Sequence, residues 1–304
     1  MNLWDIQEAL IKRDEGYNTA RDALNEYNDI LYEYAELLAS NEAVEKISIE
    51  NGRVIAKMRG FPVSFYLSRD IDFGILPAVI ATGVFENQFA MKLASMMKGK
   101  RVFFDIGANM GYYSVIAGQL CPNSKIHSFE PIPKTFKALE ENISLNNLKN
   151  VVLRNYALTD TKHINESKNE MFYSPDAPGA ASFRNIQERD EIQSIRVELM
   201  TMDDYCEVNN TYPDLIKCDV EGSELFVFKG ADKVLQGVKN QRPIVFVEIL
   251  RKWCAKFGHT ASDVVDLFES YNYKMYVIRD TDFISIPKIT DETIDTNFVF
   301  MPEK

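Results

Sequence analysis

Apolar and polar positions change period along this chain, and the changes mark its elements. Residues about 3 to 40 carry Leu24, Tyr27, Leu31, Tyr34 and Leu38 three and four apart, which predicts a helix with one apolar stripe. Docking on the protein's own core is the first reading of that stripe, and pairing with a second copy to form a homodimer is the other. Lys46 to Glu50, Asn51-Gly52 and Arg53 to Met58 then read as a hairpin, because Asn-Gly suits a type I′ turn, and Phe61 to Leu67 offers a third strand. This N-terminal helical and hairpin extension is assigned residues 1–75, and a second unit residues 76–304.

From Arg101 onward, short apolar runs alternate with helical patterns, which predicts a doubly wound α/β sheet. Strands are expected at Val102 to Phe104, Ile126 to Phe129, Val151 to Asn155, Asp214 to Val220, Ile244 to Ile249, Lys274 to Ile278 and Asn297 to Met301. Pro133 opens a helix running to about Asn146, Thr201 with Asp204 looks like a helix cap, and Thr260 or Ser262 begins another helix. Residues 160–196, polar and containing Pro175, Pro178 and Gly179, break the rhythm and read as a substrate-facing loop.

The most informative stretch is VFFDIGANMGYYSVIAG, Val102 to Gly118. It reads as a buried strand, an acid at Asp105, a tight loop bracketed by Gly107 and Gly111, and a helix start at Tyr112. A dinucleotide fingerprint would need glycine where Asn109 stands, so a diphosphate cradle is disfavoured. Asp105 points the same way, since a carboxylate at the mouth of the loop suits a cationic amine, such as that of S-adenosylmethionine. Glu130 ends the next strand about 20 residues on, where an acid can hold both ribose hydroxyls of a nucleoside. Ligands of open α/β sheets bind beyond the carboxyl ends of the strands, so Asp105, Glu130, Asp219, Glu221 and Glu248 should converge on one crevice.

Composition narrows the partners. The 304 residues carry 34 basic and 45 acidic side chains, a net charge of −11, which repels nucleic acid and anionic lipid. The N-terminus lacks a signal-like pattern and the apolar run around Ile75 to Val84 is too short to span a bilayer, so a soluble, cytoplasmic protein is expected. Cys121, Cys206, Cys218 and Cys254 form no C-x-x-C pair and read as free buried thiols.

Taken together, Gly83-Val84-Phe85-Glu86, DIGANMGYYS from Asp105 to Ser114, Phe129-Glu130-Pro131, Asn155-Tyr156-Ala157-Leu158 and IKCDVEGSE from Ile216 to Glu224 resemble the FkbM family of S-adenosylmethionine-dependent methyltransferases. The resemblance covers roughly residues 45–302 and implies a Rossmann-like, seven-stranded, mostly parallel methyltransferase sheet. It implies methyl transfer to hydroxyls of sugars, glycans or polyketide-type natural products. By the same resemblance Asp105, Gly107, Asn109 and Gly111 surround the methionine part, Glu130 holds the ribose, Ala157 borders the adenine, and Glu86 is a further cofactor-side contact. Asp219, Glu221 and Glu248 are left facing the transferred methyl, with Glu221 counted among the cofactor contacts.

A sugar hydroxyl is a poor nucleophile and gains from a group that takes its proton. Asp219 is expected to be that base, or to bind a divalent ion such as magnesium with Glu248 as second carboxylate. A helix cap is the alternative for Asp219, and an ion pair with Lys217 the alternative for Glu248. His259, beside Trp253 and Phe257, is a further candidate base, whereas His127 reads as a core histidine and His163 as a loop residue. Two other activities share parts of this pattern: a nicotinamide-dependent oxidoreductase, which lacks the glycine spacing, and a non-catalytic cofactor-binding partner in an assembly.

Overall fold

The computed structural model describes residues 17–39, 41–67, 87–165, 169–174, 177–185, 191–238, 241–279 and 282–303. The described residues begin with helix α1 (Tyr17–Ala39), followed by strands β1 (Val44–Glu50), β2 (Arg53–Met58) and β3 (Ser64–Leu67). Of the predicted apolar stripe, Leu24 is half-buried, and the side chains of Tyr27, Leu31, Tyr34 and Leu38 lie outside the described ones. The Asn-Gly turn forms as expected, with φ of 51° at Asn51 and 74° at Gly52, the left-handed pair that a type I′ turn requires. β1, β2 and β3 make a three-stranded antiparallel sheet.

The large sheet follows. Helix α2 (Asn87–Met96) leads to β4 (Val102–Ile106), α3 (Tyr112–Leu120), β5 (Lys125–Phe129), α4 (Pro133–Leu145) and β6 (Val151–Arg154). Next come β7 (Ala157–Leu158), α5 (Thr161–Asn165), β8 (Glu170–Ser174), β9 (Ala177–Ser182), β10 (Gln193–Arg196), β11 (Leu199–Met200) and α6 (Met202–Asn209). The remainder is β12 (Leu215–Cys218), α7 (Glu224–Lys229), α8 (Asp232–Gln236), β13 (Ile244–Glu248), α9 (Arg251–Lys256), α10 (Ala261–Ser270), β14 (Tyr273–Arg279), β15 (Asp282–Ser285) and β16 (Asn297–Pro302).

Eight strands pair in the order β15-β14-β16-β13-β12-β4-β5-β6. The predicted seven-stranded sheet is all of these but β15, a hairpin partner of β14 that adds an antiparallel edge. Strands β6, β5, β4, β12 and β13 pair in parallel, and only β16 is reversed within the seven. Successive residues of β4 serve opposite faces. Phe103 joins a cluster with Leu215, Phe246 and Val299, while Phe104 joins one with Ile216, Val245 and Phe300. Burial on both faces is why these strands read as unbroken apolar runs.

The N-terminal sheet is packed on the rest through α3 and α4. Phe65 stacks on Tyr112 with ring centroids 5.9 Å apart, and Asn142 and Asn146 accept from the amides of Tyr66 and Ser64, each at 2.9 Å. The 1–75/76–304 boundary and Glu86 lie outside the described residues.

Residues 160–196 are not an irregular loop. β10, β8 and β9 form a second antiparallel sheet with α5 before it, and β11 pairs in parallel with β7. All four cysteines are free and buried, as expected. No helix among the described residues is long and apolar enough to cross a membrane.

Candidate active site

The sheet order reverses between β4 and β12, and at such a switch point two loops diverge and leave a crevice. The two loops touch here. A Cβ on Gly107, at φ 75°, would lie 1.8 Å from the Asp219 carbonyl oxygen, so only glycine permits the approach. The floor of the crevice is the glycine loop, Gly107 and Asn109, with Glu130 from the end of β5. One wall is apolar, from Phe129, Tyr156, Ala157 and Leu158, and the other is the Asp219-Val220-Glu221 turn. Met171, Ala181 and Phe183, from the small sheet, close over it.

Five successive amides of the loop are engaged inside the protein. Gly107 and Ala108 donate to the Phe129 carbonyl at 3.0 and 2.9 Å, and Asn109 donates to Glu130 Oε2 at 2.9 Å. Met110 donates to Asn109 Oδ1 and Gly111 to the Ala108 carbonyl, both at 2.8 Å. A phosphate cradle needs such amides turned to the ligand. This loop instead presents carbon surface and a carboxylate.

That carboxylate, Glu130, is nearly buried and also accepts from the Ile132 amide at 2.9 Å. Burial pushes its pKa up to about 7, against the two amide bonds that favour the charged form. Each oxygen keeps a second lone pair, so two ligand hydroxyls can still be accepted.

Asp105 is placed differently from the expectation. Its side chain is fully buried beneath the loop and does not line the crevice. Oδ2 accepts from Ser114 Oγ at 2.5 Å, Ser114 meets Ser128 Oγ at 2.6 Å, and Oδ1 has no hydrogen-bond partner. Desolvation raises its pKa. The acid at the end of β4 thus belongs to a buried polar network joining β4, α3 and β5.

The Asp219-Val220-Glu221-Gly222 turn carries the other acids. Asp219 lines the crevice and accepts from Lys217 Nζ at 2.9 Å. It does not cap a helix, since Ser223 holds the N-cap position of α7. Glu221 has φ 53°, a left-handed conformation that non-glycine residues adopt at an energetic cost. Burial raises its carboxyl pKa, with Asp219 and Glu224 adding to the effect. Glu224, quoted above only as part of a motif, is fully buried, and its Oε1 accepts from the Val220 and Gly222 amides at 3.1 Å each. It shapes the turn; burial pushes its pKa up to about 7.

Glu248 follows Val247, the register partner of Cys218, so it stands on the strand end beside Asp219 without being part of the crevice lining. Among the described residues no group of three or more His, Cys, Asp or Glu side chains is arranged to hold a metal ion. His259 is buried, with Nε2 2.9 Å from the Gly222 carbonyl and Nδ1 3.2 Å from that of Thr260. Its ring braces the Gly222 turn, which leaves no nitrogen for a substrate proton. His127 is the core histidine expected, against Tyr205 OH at 2.5 Å and held down to a pKa of about 4 by burial.

The sequence reading missed the closing wall. It left no period-2 signal: Met171, Phe172 and Tyr173 are consecutive apolar or aromatic residues, of which Met171 turns to the crevice and Phe172 away from it.

Fold and site define an α/β protein with a crevice at its switch point, floored by a glycine loop whose amides are engaged within the protein. The chain belongs to the FkbM methyltransferase family, whose domain model matches residues 105–275. It is similar to the methyltransferase sdnD of Sordaria araneosa, with 29% identity over 42% of this chain and 60% of that protein. The alignment therefore spans about three-fifths of that relative's length. It is also similar to the hexuronic acid methyltransferase AglP of Haloferax volcanii, at 27% identity over 60% of this chain and 69% of that one. Among solved structures, an O-methyltransferase from Bacillus cereus matches 74% of this chain and 87% of its own at 13% identity, with a TM-score of 0.39.

Proposed function

We propose that this chain is an S-adenosylmethionine-dependent O-methyltransferase acting on a hydroxyl of a sugar, glycan or related natural product. The observation that carries the reading is the glycine loop, with five amides turned inward and a buried carboxylate turned to the crevice. That arrangement suits a nucleoside without phosphates. The apolar wall of Phe129, Ala157 and Leu158 offers surface for a flat base, and the free lone pairs of Glu130 support its role toward the ribose hydroxyls. Family membership supports the cofactor, and the relative named for hexuronic acid supports the sugar.

When bound, S-adenosylmethionine supplies an electrophilic methyl group. The protein's part is to orient the acceptor oxygen and to take its proton. Asp219 is the proton acceptor we assign, because it is an acid that lines the crevice, on the turn that Gly107 admits. Its test is Asp219→Asn, expected to keep cofactor affinity and lose methyl transfer by at least about 100-fold; full activity in that variant would remove the role. Magnesium added to either protein shows whether Asp219 and Glu248 need a metal.

Calorimetric titration with S-adenosylhomocysteine and with NADH tests the cofactor reading. Binding of the first alone, at about micromolar strength, is expected. Glu130→Gln is expected to weaken it about 10- to 100-fold, as for lost hydrogen bonds to a charged acceptor. Binding of NADH, or wild-type affinity in the variant, would overturn the reading.

A further inference from the structure

A second, open cavity adjoins the crevice. The two meet at Phe183, whose ring lines both. They also share α7, where Ser223 at the N-cap lines the first and Phe226, one turn on, lines the second. β8 divides them, with Met171 on the crevice side and Phe172 on the other.

The lining of this cavity is unlike the rest of an acidic protein. Phe172, Phe183, Phe226 and Phe257 supply aromatic surface, and Arg184 and Lys256 supply positive charge. The Arg184 guanidinium lies over the Phe257 ring, 5.8 Å from its centroid, so cation and aromatic face form one wall. Glu170, the acid among the described lining residues, accepts from Ser194 Oγ at 2.7 Å. His163 is held by Asp160, with Nδ1 2.7 Å from Oδ1, and packs on Phe226 at 4.3 Å between ring centroids.

Aromatic faces offer flat apolar surface to the CH-rich face of a pyranose, whereas a cation in a cleft of a protein of net charge −11 selects an anion locally against a repulsive background. We propose that this cavity is the acceptor subsite and that it takes a pyranose bearing an anionic substituent. The inference rests on the methyltransferase reading for its role but on the cavity for its chemistry. A uronate carboxylate and a sugar phosphate both present that anion, and Arg184 is the group that would meet it in bidentate fashion.

The experiment is calorimetric titration with methyl glucuronide, glucose 6-phosphate and neutral methyl glucoside, each with and without saturating S-adenosylhomocysteine. At least one anionic sugar is expected to bind about 10-fold or more tightly than the neutral glycoside. The glucuronide and phosphate arms distinguish carboxylate from phosphate. Arg184→Gln, at an exposed position, is expected to erase that preference while leaving S-adenosylhomocysteine affinity unchanged. Equal binding of neutral and anionic sugars, an unchanged preference in Arg184→Gln, or no sugar binding would overturn the proposal. Failure of S-adenosylhomocysteine to bind would remove the methyltransferase reading instead, since the titrations without it read the cavity directly.

Discussion

Gly107 and Gly99 share nearly the same backbone conformation, φ 75° and 78°, yet only Gly107 is crowded. A methyl group at Gly99 meets nothing within 4 Å, so Gly99→Ala should cost only the left-handed strain, about 1 kcal/mol. At Gly107 the same methyl would drive into the Asp219 carbonyl and force β4 and β12 loops apart. Gly107→Ala is expected to lose at least about 2 kcal/mol more than Gly99→Ala, together with S-adenosylhomocysteine binding. Thermal melts and titration of the two variants check this; equal destabilisation would mean that the loops do not need the contact. The glycine spacing was legible because it is a backbone requirement that no other residue meets. The depth of Asp105 was not. Sequence shows an acid ending a strand, but only packing shows that α3 and β5 bring Ser114 and Ser128 over it and shut it beneath the loop.

At the scale of elements, the large sheet was readable because its strands are buried on both faces and two of its helices, α6 and α10, carry side-chain caps at Thr201 and Thr260. Thr260 and Asp263 form the complete capping box of α10, with the Thr260 hydroxyl accepting from the Asp263 amide at 3.2 Å and Asp263 accepting back from the Thr260 amide at 2.6 Å. Thr260→Ala is expected to lose about 1 kcal/mol and to lower the melting temperature by a few degrees at most. S-adenosylhomocysteine affinity should not change, because α10 contributes nothing to the crevice lining; a change in affinity would show coupling between α10 and the Gly222 turn through His259. The small β8-β9-β10 sheet escaped notice for the opposite reasons. One face of β8 serves the crevice and the other the second cavity, and prolines lie along the segment. An element whose two faces both meet ligand space has no apolar stripe to betray it, so polar composition suggested a loop.

Across the whole molecule, buried acids set the response to pH. Glu130 and Glu224 have pKa values of about 7 against an ordinary 4.5, and Asp105 is also raised, all chiefly by burial. Between about pH 4.5 and 7 the folded chain holds protons that the unfolded chain has released. Their stabilisation is therefore full below pH 4.5 and is lost as pH rises through 7, by about 3 kcal/mol for each of the two glutamates. Melting temperature should fall from pH 5.5 to 8.5 without ligand, and Glu130→Gln should remove part of that fall while Glu224, Glu221 and Asp105, also raised by burial, keep the rest. Ligand affinity should run the other way. Ribose hydroxyls donate to the carboxylate of Glu130 and favour its charged form, so binding below pH 7 expels a proton and S-adenosylhomocysteine affinity rises with pH up to that point. Opposite slopes from one side chain are a signature that a merely structural Glu130 would not produce. Titrations at pH 6, 7 and 8 in buffers of different ionisation enthalpy read both the affinity and the proton released, and an affinity independent of pH would place the ribose elsewhere.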